Sequence, residues 1–115
     1  MRLVVALPEG EYLSRSVRLP DQPEWEARYF KLKANGETWW QHERLGPPPQ
    51  NLSVFERTNL WMINTARIES PPAPLYAALV WDEKPTGDGP GGTSHFAQRI
   101  TRLGGRLAII NPAKL

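Results

Sequence analysis

Apolar residues in this chain fall into two kinds of short run, and the spacing in each predicts its geometry. Arg2 to Leu7 is apolar almost without interruption, as expected for a strand covered on both faces. Leu75 to Trp81 and Leu107 to Ile110 repeat that signature, and Glu37 to Gln41 reads as a further strand. Elsewhere the spacing is helical. Trp25, Tyr29 and Leu32 recur at four and three residues, giving one stripe that runs to about Lys33. Phe55, Met62 and Ala66 share a face of a longer helix that reaches about Ile68. Leu60, Trp61 and Ile63 lie off that face, so the helix is expected to be well buried. Phe96, Ile100 and Leu103 form the inward side of a helix from Thr93 to Leu103, and Glu11 to Val17 reads as a short helix.

Boundary residues support this division. Asp21-Gln22-Pro23-Glu24 and Ser53-Val54-Phe55-Glu56 both have the form of a capping box, and Pro23 suits a first helical turn. Asn35-Gly36 and Gly104-Gly105 end helices, and Asn111-Pro112 stops the last strand. Pro47-Pro48-Pro49 and the prolines of 71–74 fall between periodic segments, where a missing donor is tolerated. The order is strand, helices, strand, helix, strand, helix, strand. Such alternation predicts an α/β fold, a mostly parallel sheet of about four strands with helices on both faces.

Composition narrows the class. At 115 residues the chain is read as a single domain, 1–115, with 40% hydrophobic and 23% charged residues. Fourteen Lys and Arg stand against 12 acids and are dispersed, which argues against nucleic acid as a partner. There is no cysteine, so disulfides and thiolate metal sites are excluded. The longest early apolar run, Leu3 to Leu7, is too short for a signal-peptide core or a membrane span, and a cytoplasmic protein without a membrane partner is expected.

The chemistry concentrates in "WDEKPTGDGPGGTSHF", where four of the nine glycines lie between a strand and a helix. In an open parallel sheet, ligands bind beyond the carboxyl ends of the strands. A helix amino terminus there offers unpaired N–H groups and a positive dipole end, suited to phosphate or carboxylate. The loop 87–93 is therefore a candidate anion cradle, with Gly89, Gly91 and Gly92 letting backbone approach a ligand and Thr93 and Ser94 opening the helix. The first turn carries no acid, whereas the two capping boxes place Glu there. The motif is neither the dinucleotide fingerprint nor the P-loop, since no Lys follows the glycines. A plain surface turn is the competing reading.

Asp82, at a strand end, is a candidate for holding a sugar hydroxyl, and Asp82 and Asp88 are the weak candidates for a catalytic acid–base group. Asn59 interrupts an apolar helix, where burial would require partners for its amide, and a base or ribose could supply one; Asn64 is expected to face solvent. His95 either donates to a ligand or faces water. His42 and His95 lack metal-ligand spacing, so no metal site is expected. Trp39-Trp40 points to opposite faces of a strand, so both are buried if the sheet is covered on both sides; otherwise one marks a partner or ligand surface.

The segments "WDEKPTGDGPGGTSHFAQRITRLGGRLAIINP", "FERTNLWMINTA" and "VVALPEGEYLSRSV" together resemble the later part of a Rossmann-like domain of bacterial signalling and conflict-system proteins. These lie near the SLOG superfamily, which includes lysine-decarboxylase-like phosphoribohydrolases and DNA-processing A-type proteins. The resemblance spans about Leu3 to Pro112. It implies a site for a nucleotide or nucleotide-derived ligand, with Gly91, Gly92 and Thr93 as phosphate cradle. Enzymatic members carry a further glycine before the threonine and a glutamate three residues after it. Here Gly92 passes straight to Thr93 and position 96 is Phe. The resemblance also implies an earlier strand that this chain lacks, so the sheet is expected to be incomplete as a monomer. With an unprotected edge, a homodimer or larger is expected.

The leading expectation is thus a sensor or regulatory module that binds a nucleotide-like small molecule, with no other cofactor fixed by the motifs. The alternatives are an N-glycosidic hydrolase or transferase acting on nucleosides or nucleotides, and a non-catalytic association module.

Overall fold

The structure, a computed structural model, describes residues 1–71, 74–84 and 91–114. Four parallel strands and five α-helices make an α/β architecture in two compact units, Met1–Pro49 and Gln50–Leu115. The strands pair as two two-stranded sheets rather than as the one sheet of four that the alternation predicts. Local periodicity counts strands, but it carries no information about which edges meet.

In the first unit, β1 (Arg2–Val5) pairs in parallel with β2 (Glu37–Trp40), from Arg2 opposite Glu37 to Val5 opposite Trp40. β1 is two residues shorter than its apolar run. Ala6 and Leu7 bend instead, just ahead of Pro8, which restricts the residue before it. The crossover holds α1 (Glu9–Tyr12), a π-helical turn at Leu13–Val17, and α2 (Trp25–Ala34); α3 (Gln41–Leu45) follows β2. Leu13, Val17 and Tyr29 form the buried cluster, with Tyr12 and Trp40 packed on it. The stripe on α2 is only partly used: Tyr29 is buried, while Trp25 and Leu32 remain 39% and 48% exposed. The Asp21 capping box does not form. Glu24 is the residue before the helix and already has helical backbone angles, with no side-chain cap bond.

Trp39 and Trp40 do divide between faces. Trp40 packs on the core cluster. Trp39 carries the Arg2 and Arg44 guanidinium groups 3.8 and 4.2 Å from its ring centre and donates from Nε1 to Glu37 at 2.7 Å. That donation, with Arg2 and Arg44 nearby, holds the Glu37 carboxyl below the usual carboxylate range.

In the second unit, α4 (Val54–Glu69) leads to β3 (Tyr76–Val80), and α5 (Thr93–Arg102) leads to β4 (Arg106–Ile110). β3 and β4 run parallel, Tyr76 opposite Arg106 and Val80 opposite Ile110, and α5 packs on both. Ile63, Ala77 and Ile100 are the buried centre, with Leu75, Leu79, Phe96 and Leu107 around them. The Ser53 cap forms: its hydroxyl accepts the Glu56 N–H at 3.1 Å.

α4 is less buried than its composition predicts. The fully buried positions are Thr58, Asn59 and Ile63, whereas Phe55 is 40% exposed and Ala66 faces solvent, as does Asn64. On α5, Ala97 and Ile100 are buried, but Leu103 is 41% exposed because it caps the helix as the chain reverses at Gly104, φ 74°. Among the described residues, no helix is long and apolar enough to cross a membrane.

Candidate functional site

The site lies in the second unit, where the end of the glycine-rich segment meets α4 and β3. Gly91 has φ 81°, a left-handed conformation that glycine adopts without strain. A Cβ there would also run into the Phe55 and Glu56 backbone at the start of α4, so this glycine is needed for close approach as well as for its turn. Gly92 is extended, φ −73° and ψ −172°, and occupies the N-cap of α5; Thr93 is the first helical residue, not the cap. The Phe96 N–H closes the first turn onto the Gly92 carbonyl at 3.2 Å.

Asn59 fixes this corner. Only 8% exposed, it directs its Nδ2 to the Gly91 carbonyl at 2.8 Å, the His95 Nδ1 at 3.1 Å and the Gly92 carbonyl at 3.5 Å. With the amide donating, the His95 Nδ1 accepts, and the neutral ring carries its hydrogen on Nε2. The amide partners expected for a buried Asn59 are therefore loop carbonyls and His95, and His95 faces Asn59. In a planar trans peptide the N–H points opposite to the carbonyl, so holding the Gly91 carbonyl also orients the Gly92 N–H away from Asn59.

Around this corner is an open pocket of about 400 Å³ lined by Asn59 and Met62 of α4, Ala78 and Leu79 of β3, and Gly91, Gly92, Thr93 and Phe96. Four predicted site residues thus come together: Asn59, Gly91, Gly92 and Thr93. The described wall carries no charged side chain. Its positive character comes from the amino end of α5, whose first turn has no acid and whose last turn holds Arg99 and Arg102, matching the helix dipole at both ends.

Asp82 is placed elsewhere. Exposed, it accepts the Lys84 N–H at 3.1 Å, with the Lys84 ammonium 3.7 Å away, and it is not part of the pocket wall. Ser94 is half-buried and accepts from Gln98 Nε2 at 3.3 Å, also outside the wall. Asp88 and Gly89 lie outside the described residues. Met62, Ala78, Leu79 and Phe96 line the pocket without having been singled out, because an apolar wall residue has the same periodic signature as a core residue. Among the described residues, no group of three or more His, Asp or Glu is placed to hold a metal ion.

At the carboxyl ends of the two strands, Glu83 adopts φ 62° and accepts from Asn111 Nδ2 at 3.0 Å, with the Lys114 ammonium at 3.6 Å. The Trp81 N–H donates to the Ile110 carbonyl at 3.0 Å, extending the pairing one step beyond β3. These contacts tie together the two segments that leave the sheet on the ligand-binding side expected for parallel strands.

Comparison with protein-family models, with curated proteins and with solved structures finds no match to this chain.

Proposed function

We propose that the protein binds a nucleotide-like small molecule at this pocket and acts as a Rossmann-like sensor or regulatory module. The anionic group sits at the amino end of α5, against the Gly92–Thr93 backbone, and the planar body lies along Met62, Leu79 and Phe96. The observation that carries this reading is convergence: Asn59 and the Gly91–Thr93 segment, more than thirty residues apart, share one pocket wall. Asn59 then acts through the loop it holds rather than by donating Nδ2 to the ligand.

Among the described wall residues there is no carboxylate to serve as a general acid or base, which favours binding over glycosidic hydrolysis. The test is calorimetric titration with adenosine and guanosine nucleotides, on the wild type and on Gly92→Asp. Position 92 is an extended N-cap, where Asp is a favoured residue. The variant should keep its thermal midpoint and lose at least about tenfold in affinity, since a fixed carboxylate competes for the anion position. Equal affinity in the variant, or no nucleotide binding at all, would overturn the proposal.

One observation favours the association reading as well. Tyr76, Val80 and Ile110 are 72%, 68% and 52% exposed, and the register places them on one face of the β3–β4 sheet. Parallel sheets are usually covered on both faces. Sedimentation over a range of concentrations, on the wild type and on Val80→Lys, tests whether this face is an assembly surface.

A further inference from the structure

A second cavity lies wholly in the first unit and shares no residue with the site above. It is an open groove of about 370 Å³ over β1, between the π-helical turn and α2. Three aromatic rings line it: Tyr12, Trp25 and Tyr29. The wall is pre-organised. Tyr12 and Tyr29 are in tilted contact at 5.6 Å between ring centres, and the Tyr29 hydroxyl donates to Glu9 at 2.9 Å. Two lining residues carry side-chain polar groups that are not committed elsewhere: among the described residues, neither the Ser16 hydroxyl nor the Arg28 guanidinium makes a hydrogen bond or an ion pair. Both can donate, one is permanently cationic, and no acid lines the groove.

An apolar trough with convergent donors and no acid complements one class of ligand, a flat apolar body ending in a single anionic group. We infer that this groove is a binding site for an amphipathic aromatic acid, an aryl carboxylate or sulfonate. The ring stacks among Trp25, Tyr12 and Tyr29, and the acid meets Arg28 and Ser16. The size falls at the lower end of the range for small-molecule pockets. Arginine adds specificity here, since its planar guanidinium matches a carboxylate or sulfonate in a two-point contact.

The test uses two probes with the same aromatic body, 8-anilinonaphthalene-1-sulfonate and the uncharged N-phenyl-1-naphthylamine. The sulfonate should bind at a single site and shift the Trp25 indole N–H resonance. Arg28→Gln, a change on an exposed helical position, should weaken the sulfonate about tenfold while leaving the uncharged probe within about twofold. Leu32→Glu, which places an acid in the groove at a half-exposed site, should abolish sulfonate binding with unchanged circular dichroism. Gly92→Asp should bind the sulfonate as the wild type does, which separates this site from the nucleotide pocket. The proposal is overturned if the sulfonate does not bind, if Arg28→Gln binds it as well as the wild type, or if self-association of the protein excludes it.

Discussion

The Asn59 side chain on α4 and the Gly91 carbonyl, 32 residues later, are joined by a 2.8 Å hydrogen bond. Since Asn59 is 92% buried, its amide cannot exchange this partner for water. Asn59→Leu, close in volume, leaves the Gly91 carbonyl and the His95 Nδ1 without their donor. The expected loss is about 2 kcal/mol in urea denaturation. A loss below about 0.5 kcal/mol would mean that the loop is held by something else.

Gly91 and Gly104 both have positive φ, 81° and 74°, but only Gly91 is crowded by a neighbouring backbone. Gly104→Ala meets open space and should cost only the left-handed penalty, about 1 kcal/mol. Gly91→Ala adds a collision with Phe55 and Glu56 that their helical turn cannot relieve, for a total of about 3 kcal/mol. Thermal melts of the two variants should differ accordingly, and similar melting temperatures would show that the segment moves freely away from α4.

Two capping boxes are legible in the chain, and only one is used. Ser53→Ala removes the bond to the Glu56 N–H and should cost about 1 kcal/mol. Asp21→Ala should cost almost nothing, because Asp21 lies outside the helix that begins at Trp25 and makes no cap bond to it. Denaturation of the pair checks both; an equal cost would place Asp21 in a cap after all.

That contrast marks where local pattern stops being informative. The order and type of the elements are readable because period two and period 3.6 are set within each segment. Strand partners are not, because pairing depends on edges far apart in the chain, and so two pairs stand where one sheet of four is expected. At the site, an asparagine within an apolar helix announces that its amide needs a partner. The partner itself, a backbone carbonyl at Gly91, has no side-chain signature to read. The Trp25–Tyr29–Leu32 stripe shows the same limit from the other side. Its spacing is that of a core face, yet only Tyr29 is buried, and the other two line an open groove.

The first unit contains a pH-sensitive contact whose direction follows from its donors. The Glu9 carboxylate receives the Lys33 ammonium and the Tyr29 hydroxyl on the same oxygen. The Lys33 hydrogen bond, and then the Tyr29 one, hold its carboxyl below the ordinary value of 4.5, while burial and the bond to Glu9 push the Tyr29 phenol upward. An acid with a depressed folded pKa binds fewer protons folded than unfolded, so its contribution is full above the unfolded value and falls as pH drops through the folded one. Glu9→Gln removes that contribution, and the other carboxylates cancel when the variant is compared with the wild type. The stability gap between them should therefore stay constant from about pH 7 to about pH 5 and narrow progressively below about 4.5. Urea midpoints at steps down to about pH 3 read the gap directly. A gap that persists undiminished at the lowest pH would mean that Glu9 acts through packing rather than through its charge.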